Sequence, residues 1–259
     1  MAVALSIAGS DPSGGAGIQA DLKTFHQRGV YGMAAITLLT VQNTRRVSAV
    51  DVMTPELVEA QVSATLEDIP PGAAKTGALG DEKIVRTLAR MAEGFKFPLV
   101  VDPVMISKHG HALLTEAAQR ALTEALLPRA YLVTPNLPEA AMISGISVRD
   151  AESMERAAEK IISLGARGAL IKGGHFEGDA VDLLRFENET VLLPSPRIET
   201  RHTHGTGCVY SACITAELAK GNSIKDAVAA AKEFITRAIA SAPGLGQGYG
   251  PVNHFVCGQ

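Results

Sequence analysis

Short apolar runs and segments with helical periodicity take turns along the chain. Val3-Ala4-Leu5-Ser6-Ile7-Ala8 reads as a strand that ends at Gly9. Ile18, Leu22, Phe25 and Gly29 then recur at the spacing of one helix face. A second strand is predicted from Ala34 to Val41. Thr54-Pro55-Glu56 predicts a helix start, with a capping hydroxyl, a proline in the first turn and an acid at the positive end of the dipole. Val58, Val62 and Leu66 form the stripe that this helix buries. Ala73 to Ala78 reads as a short strand, and Ile84, Val85 and Leu88 mark another helix. Pro98-Leu99-Val100-Val101 is a continuous apolar run, as expected of a strand covered on both faces. Tyr131-Leu132-Val133 and Ala169-Leu170-Ile171 repeat that theme, with a helix between them that opens at Asp150 and closes at Gly165. Two last helices are predicted from Gly207 to Lys220 and from Ser223 to about Ala240, with Ser223 as cap and Asp226 as its box partner.

One stretch breaks the alternation. Residues 181–193 form two strand-like runs around Glu187-Asn188, which predicts a hairpin that adds antiparallel strands to one edge of the sheet. No linker, repeat or low-complexity run divides residues 1–259. The pattern predicts one α/β domain with a doubly wound, mostly parallel sheet and helices on both faces. Ligands of such sheets sit beyond the carboxyl ends of the strands.

Composition narrows the functions. Hydrophobic residues make up 46% of the 259 and charged residues 20%, enough for a large core. A net charge of −3 gives no basic footprint for nucleic acid. The three cysteines, Cys208, Cys213 and Cys257, are odd in number and lack CxxC spacing, which disfavours a disulfide framework or a zinc site. Met1 leads straight into a strand-length run with no basic region before it, and no apolar stretch reaches membrane length. A soluble cytoplasmic protein without membrane partners is expected.

Chemistry-bearing residues cluster where strands end. Gly9-Ser10-Asp11-Pro12-Ser13-Gly14-Gly15-Ala16-Gly17 is a glycine-rich turn that lets backbone N–H groups approach a ligand, or a plain flexible connection. Asp21, one turn into the next helix, is placed on or near its packed face and calls for a hydrogen-bond donor. Gln42 can donate and accept at once, which suits an aminopyrimidine edge, or it is an ordinary polar strand terminus. Asn136 and Glu139 stand three apart at a helix start and read as Mg²⁺ partners or as a simple capping pair. Lys172, followed by Gly173-Gly174-His175, can reach a phosphate or can be an unremarkable strand-end lysine. The most specific segment is Thr203-His204-Gly205-Thr206-Gly207-Cys208, directly before a helix. Successive N–H groups of Gly205, Thr206 and Gly207 can form an anion hole, and the helix terminus adds positive potential. Cys208 falls in the first helical turn, where a thiol pKa is expected to drop below its reference of about 8.5. Its alternative is a small buried thiol. His204 can serve as a base or be structural, and its place before the helix favours the structural reading, while Cys213 is expected to belong to the core.

These segments together resemble the ribokinase-like superfamily and, within it, the hydroxymethylpyrimidine and phosphomethylpyrimidine kinases of thiamine biosynthesis. The resemblance spans nearly the whole chain. It rests on Ala8 to Lys23, Val41-Gln42-Asn43-Thr44, Thr134 to Ala140, Lys172 to His175 and Thr203 to Cys208, in that order. It implies a single ribokinase-like domain that uses ATP and Mg²⁺ to phosphorylate 4-amino-5-hydroxymethyl-2-methylpyrimidine twice. It implies that Gly9, Ala16, Asp21 and Gln42 line the pyrimidine pocket, with Val104 over the ring. Asn136 and Glu139 would orient Mg²⁺ and phosphates, and Lys172, Asn136 and Thr203 would contact ATP. Gly205, Thr206 and Gly207 would hold the migrating phosphoryl group. Cys208 would take the place of the catalytic aspartate of the superfamily's sugar kinases. Ser107-Lys108-His109-Gly110-His111 corresponds to a mobile flap, and a homodimer is implied. The alternatives are a pyridoxine or pyridoxal kinase of the same fold, a thiazole kinase with a similar Gly-Thr-Gly-Cys loop, and a non-catalytic ligand-binding protein on the kinase scaffold.

Overall fold

The structure, a computed structural model, describes residues 1–106, 110, 113–174 and 178–256. Its frame is one sheet. The strands are β1 (Val3–Ser10), β2 (Tyr31–Asn43), β3 (Arg46–Val52), β4 (Ala73–Thr76), β5 (Leu99–Val101), β6 (Leu132–Val133), β7 (Gly168–Ile171), β8 (Asp182–Phe186) and β9 (Glu189–Leu193). They lie in the order β3-β2-β1-β4-β5-β6-β7-β8-β9. From β2 through β7 every pairing is parallel.

The alternation of side chains sorts the core into two layers. Leu5, Ile7, Leu99, Val101, Ala169 and Ile171 face one layer. It is closed by helices α2 (Pro55–Asp68), α3 (Glu82–Ala92), α4 (Glu116–Ala121), α5 (Leu137–Ser144) and α6 (Ala151–Ser163). Val100, Leu132, Leu170 and Leu184 face the other, with α7 (Thr206–Ala219) and α8 (Ile224–Ala240). Helix α1 (Gly17–Gln27) also packs on this side, where Phe25 meets Ala212 and Ala216 of α7.

The expected hairpin is present as β8–β9, turning at Glu187, which carries a φ of 55°. The opposite edge differs from expectation. β2 runs on to Asn43 and folds back antiparallel onto β3, so both edges of the sheet are antiparallel. The β3 segment, Arg46-Val-Ser-Ala-Val-Asp-Val52, is mostly exposed and lacks the apolar run by which buried strands declare themselves. Ser223 caps α8 as expected, but the Asp226 carboxylate accepts from the Ser223 hydroxyl instead of reaching back to its backbone N–H. No helix among the described residues is long and apolar enough to cross a membrane.

The chain leaves β1 toward β2 on one side and returns to β4 on the other. β1 is therefore the point where strand order reverses. Crevices form at the carboxyl ends of strands at such a point.

Candidate active site

A cavity of about 830 Å³ opens there, within the range of sites that hold a drug-sized ligand. Residues following β1, β2, β4, β5, β6 and β7 reach it, as does the start of α7. Gly9, Ala16, Gln42, Val104, Asn136, Glu139, Lys172, Thr203, Gly205, Thr206, Gly207 and Cys208 all line this one cavity. Segments up to 199 positions apart in sequence, from Gly9 to Cys208, are thus brought together.

At one end, the glycine-rich turn wraps around Asp11. Asp11 Oδ1 accepts from the Ser13 N–H at 2.8 Å and the Ser13 hydroxyl at 2.7 Å. Asp11 Oδ2 accepts from Gly15 N–H at 3.2 Å and Ala16 N–H at 2.9 Å, and meets His204 Nε2 at 2.8 Å. Burial works against ionisation, yet the hydrogen bonds from His204 and Ser13 outweigh it and hold the carboxyl at about 2. Gly9 permits the close fit, since a Cβ there would stand 2.5 Å from Leu38 Cδ1. Gln42 lines the same end, and its side chain makes no hydrogen bond to another described residue.

Asp21 is not a lining residue. It is fully buried in α1 beneath the cavity floor, where Lys75 Nζ donates to both of its oxygens at 2.8 Å and the Ser6 hydroxyl donates at 2.6 Å. The expectation that Asp21 contacts a ligand is corrected on this point: the donor it calls for is an equally buried lysine of β4. Burial raises the Asp21 carboxyl and Lys75 pulls it down, and burial prevails.

At the other end stands a second Lys–Asp pair. Asp102, just beyond β5, accepts from Lys172 Nζ at 3.1 Å, Thr134 Oγ1 at 3.2 Å and Ser211 Oγ at 3.2 Å. Both partners line the cavity. Burial raises the Asp102 carboxyl, but Lys172 and Lys75 overcome it and keep it below the ordinary range. Sequence reasoning passed over Asp102, although its place directly after a buried apolar strand was a usable signal.

Asn136 and Glu139 form a reciprocal capping box at the start of α5. The Asn136 side chain accepts from Glu139 N–H and the Glu139 carboxylate accepts from Asn136 N–H, each at 2.9 Å. Burial pushes the Glu139 carboxyl up to about 7, against the pull of Lys172 and with the help of Asp102. Capping therefore occupies part of each side chain, while both still line the cavity.

The Thr203–Cys208 segment enters α7 through Gly205, whose φ of 79° is left-handed. No side chain caps the helix, so the first-turn N–H groups of Gly207 and Cys208 stay available at the cavity wall. The expected acidic thiol is corrected. Burial pushes Cys208 up to about 12, outweighing Lys75 and a hydrogen bond from the Gly17 N–H, while Asp21 and Asp102 push the same way. Desolvation can shift a buried group by 3–5 units, more than one helix terminus returns. Cys213 is a buried core thiol, as expected. His204 is held by Asp11, and the His202 Nδ1 is buried without a hydrogen bond. Among the flap residues, 107–109 and 111 lie outside the described residues, as do His175 and Cys257.

The cavity thus offers a polar slot at the β1–β2 end and an anion-binding end made of Lys172 and the α7 terminus. Between them stands the Cys208 sulfur. The description of the family model that matches residues 11–253 reads phosphomethylpyrimidine kinase. A hydroxymethylpyrimidine/phosphomethylpyrimidine kinase of Streptomyces coelicolor is 48% identical, over 96% of this chain and 93% of that protein. The solved phosphomethylpyrimidine kinase of Clostridium difficile superposes with a TM-score of 0.82 at 43% identity, covering 92% of this chain and 100% of that one. An ADP complex of Bacillus subtilis pyridoxal kinase superposes with a TM-score of 0.90 at 41% identity, covering 98% and 97%.

Proposed function

The chain belongs to the phosphomethylpyrimidine kinase family, and from that premise we propose how its cavity carries out the reaction. The enzyme transfers a phosphoryl group from ATP to the hydroxymethyl arm of 4-amino-5-hydroxymethyl-2-methylpyrimidine, and a second group to the resulting monophosphate, in thiamine biosynthesis. The observation that carries the assignment of roles is the shared cavity: the slot with Gln42 and the anion-binding loop at Gly205–Cys208 border one space.

In this reading Gly9, Ala16 and Gln42 hold the pyrimidine, with the Gln42 amide on its amino edge and Val104 against the ring. Lys172 binds the phosphates of ATP as a mobile point charge, together with Thr203 and Asn136. The N–H groups of Gly205, Gly207 and Cys208 take up the charge that spreads over the migrating group, while that of Thr206 donates to the Thr203 carbonyl and shapes the loop.

Mg²⁺ fits the Lys172 end. Asp102 and Glu139 are two carboxylates bordering the same space, and the raised pKa of Glu139 marks a negative charge in want of compensation. Among the described residues no group of three or more metal-binding side chains forms, so phosphate oxygens and water would complete the shell. The ion would neutralise charge on the phosphates.

Cys208 serves the acceptor hydroxyl. A thiol held near 12 is protonated at neutral pH, so it orients the alcohol and does not stand ready as a thiolate. The loose transition state demands little of a base until late in transfer. Cys208→Ala is expected to damage the first phosphorylation more than the second, whose acceptor is already ionised. Equal losses in separate assays of the two steps would instead assign the sulfur to the anion hole. The overall reading is tested by product mass after incubation with ATP, Mg²⁺ and either the pyrimidine alcohol or pyridoxal. Phosphorylation of pyridoxal alone would overturn it.

The enzyme acts as a cytoplasmic homodimer in this reading. Leu39 and Val41 are 42% and 61% exposed on one face of the β2–β3 ribbon, a surface that a second copy can cover. Sedimentation as a monomer at micromolar concentration would refute this.

A further inference from the structure

The two loops that hold the two substrates touch each other directly. A Cβ on Gly205 would stand 1.8 Å from the Gly15 carbonyl oxygen and 3.3 Å from Ala16 Cα. A Cβ on Gly15 would stand 2.6 Å from His204 Cδ2. At Gly205 backbone therefore lies on backbone, and at Gly15 backbone lies on the His204 ring.

One side-chain contact closes this seam. Asp11 is 2% exposed and His204 7%. Asp11 gathers the Gly15 and Ala16 N–H groups on the same oxygen that meets His204 Nε2. The His204 backbone is anchored from behind. His204 N–H donates to the Gly250 carbonyl at 3.1 Å, and the His204 carbonyl accepts from Val252 N–H at 3.3 Å. Gln19 Oε1 accepts from Asp11 N–H at 2.9 Å and ties the other side to α1.

We propose that Asp11 and His204 are a positioning pair for phosphoryl transfer: their contact fixes the spacing between the loop that presents the alcohol and the loop that receives the migrating group. Both residues border the cavity, and the role assigned to them is to act through the two loops that they join. The pair acts by holding two separately bound substrates at reacting distance, where a displacement of about 1 Å from afar can cost on the order of 100-fold. Its loss therefore falls on turnover and spares the binding of each substrate. The inference rests on the kinase reading above and deepens it.

The test compares His204→Gln, which can return a donor near the Nε2 position, with His204→Asn, whose donor reaches only as far as Nδ1. His204→Ala removes the donor altogether. Wild-type turnover is measured first, and its absence would defeat the kinase reading and not this one. The expected result is a loss in kcat of roughly 10- to 100-fold in the Asn and Ala variants, with KM for ATP and for the pyrimidine within about 3-fold. The Gln variant is expected to recover most of kcat. Equal kcat in the Gln and Asn variants overturns the proposal. So does a loss that appears in KM with kcat preserved, or a kcat that simply follows the melting temperature across the variants. An Ala variant that fails to fold leaves the Gln–Asn comparison to decide. A Gln variant that fails to fold assigns the contact to folding and overturns the proposal as well.

Discussion

Two lysine–aspartate pairs stand at the ends of neighbouring strands, and they differ in one respect. Lys75–Asp21 is sealed: both side chains are fully buried, and the ammonium meets both carboxylate oxygens. Lys172–Asp102 is open: the lysine side chain is 15% exposed, meets one oxygen, and shares its partner with two hydroxyls. A sealed pair has its valences filled by the protein. An open pair keeps capacity for a ligand at only a small penalty in burial. The first lies outside the lining of the cavity, and the second borders it.

The contrast can be broken at either pair. Lys75→Met leaves a buried carboxylate uncompensated and is expected to cost about 3–5 kcal/mol in urea unfolding. Adding Asp21→Leu to Lys75→Met should restore much of that, because a buried pair replaced by apolar groups is often near neutral. A stable single variant would refute the sealed reading. Lys172→Met is expected to leave unfolding less affected and to lower kcat by roughly 100- to 1,000-fold, as removal of a charge-stabilising donor does. Preserved turnover would remove Lys172 from the site.

Glu139 sharpens the same comparison by pH. Its folded carboxyl lies at about 7, above the ordinary 4.5. Between those values the folded chain keeps a proton that the unfolded chain releases. Stability therefore falls as pH rises through that window, by up to about 3 kcal/mol in total, and levels off above it. Glu139→Gln can keep the capping contacts and should abolish the slope in unfolding measured at pH 5 and pH 8. An unchanged slope would place the raised carboxyl elsewhere. The smallest effect is a negative one. Alkylation of Cys208 in the free enzyme should climb steadily with pH up to about 10, because the thiolate stays scarce below its raised pKa. A plateau below about pH 9 would show that the helix terminus, not burial, governs the sulfur.

Much of this was legible in the residues. The apolar runs placed the parallel strands, and the segments at Gly9, Gln42, Asn136, Lys172 and Thr203–Cys208 do share one cavity. What stayed hidden depends on distant partners. Asp102 acquires its meaning from Lys172, 70 positions later, and Lys75 from Asp21, 54 positions earlier. Neither partner announces the other by spacing. The Cys208 thiol was misread because local sequence displays a helix start but not the desolvation around it. β3 escaped because exposed edge strands carry no apolar signature.

The Asp11–His204 contact has a consequence for how the polypeptide matures. The residues it joins are 193 positions apart, and the hydrophobic cluster of Ala4, Phe25 and Val30 likewise waits for Ala212 and Ala216. On the ribosome, the opening segments emerge first and build the β3-β2-β1 side of the finished sheet, yet they are capped by helices translated near the end. A nascent chain halted at about residue 200 therefore displays an unclosed apolar flank and a turn without its clasp. Such a species is a natural client for chaperones, and catalytic competence arrives all at once as the final helices dock.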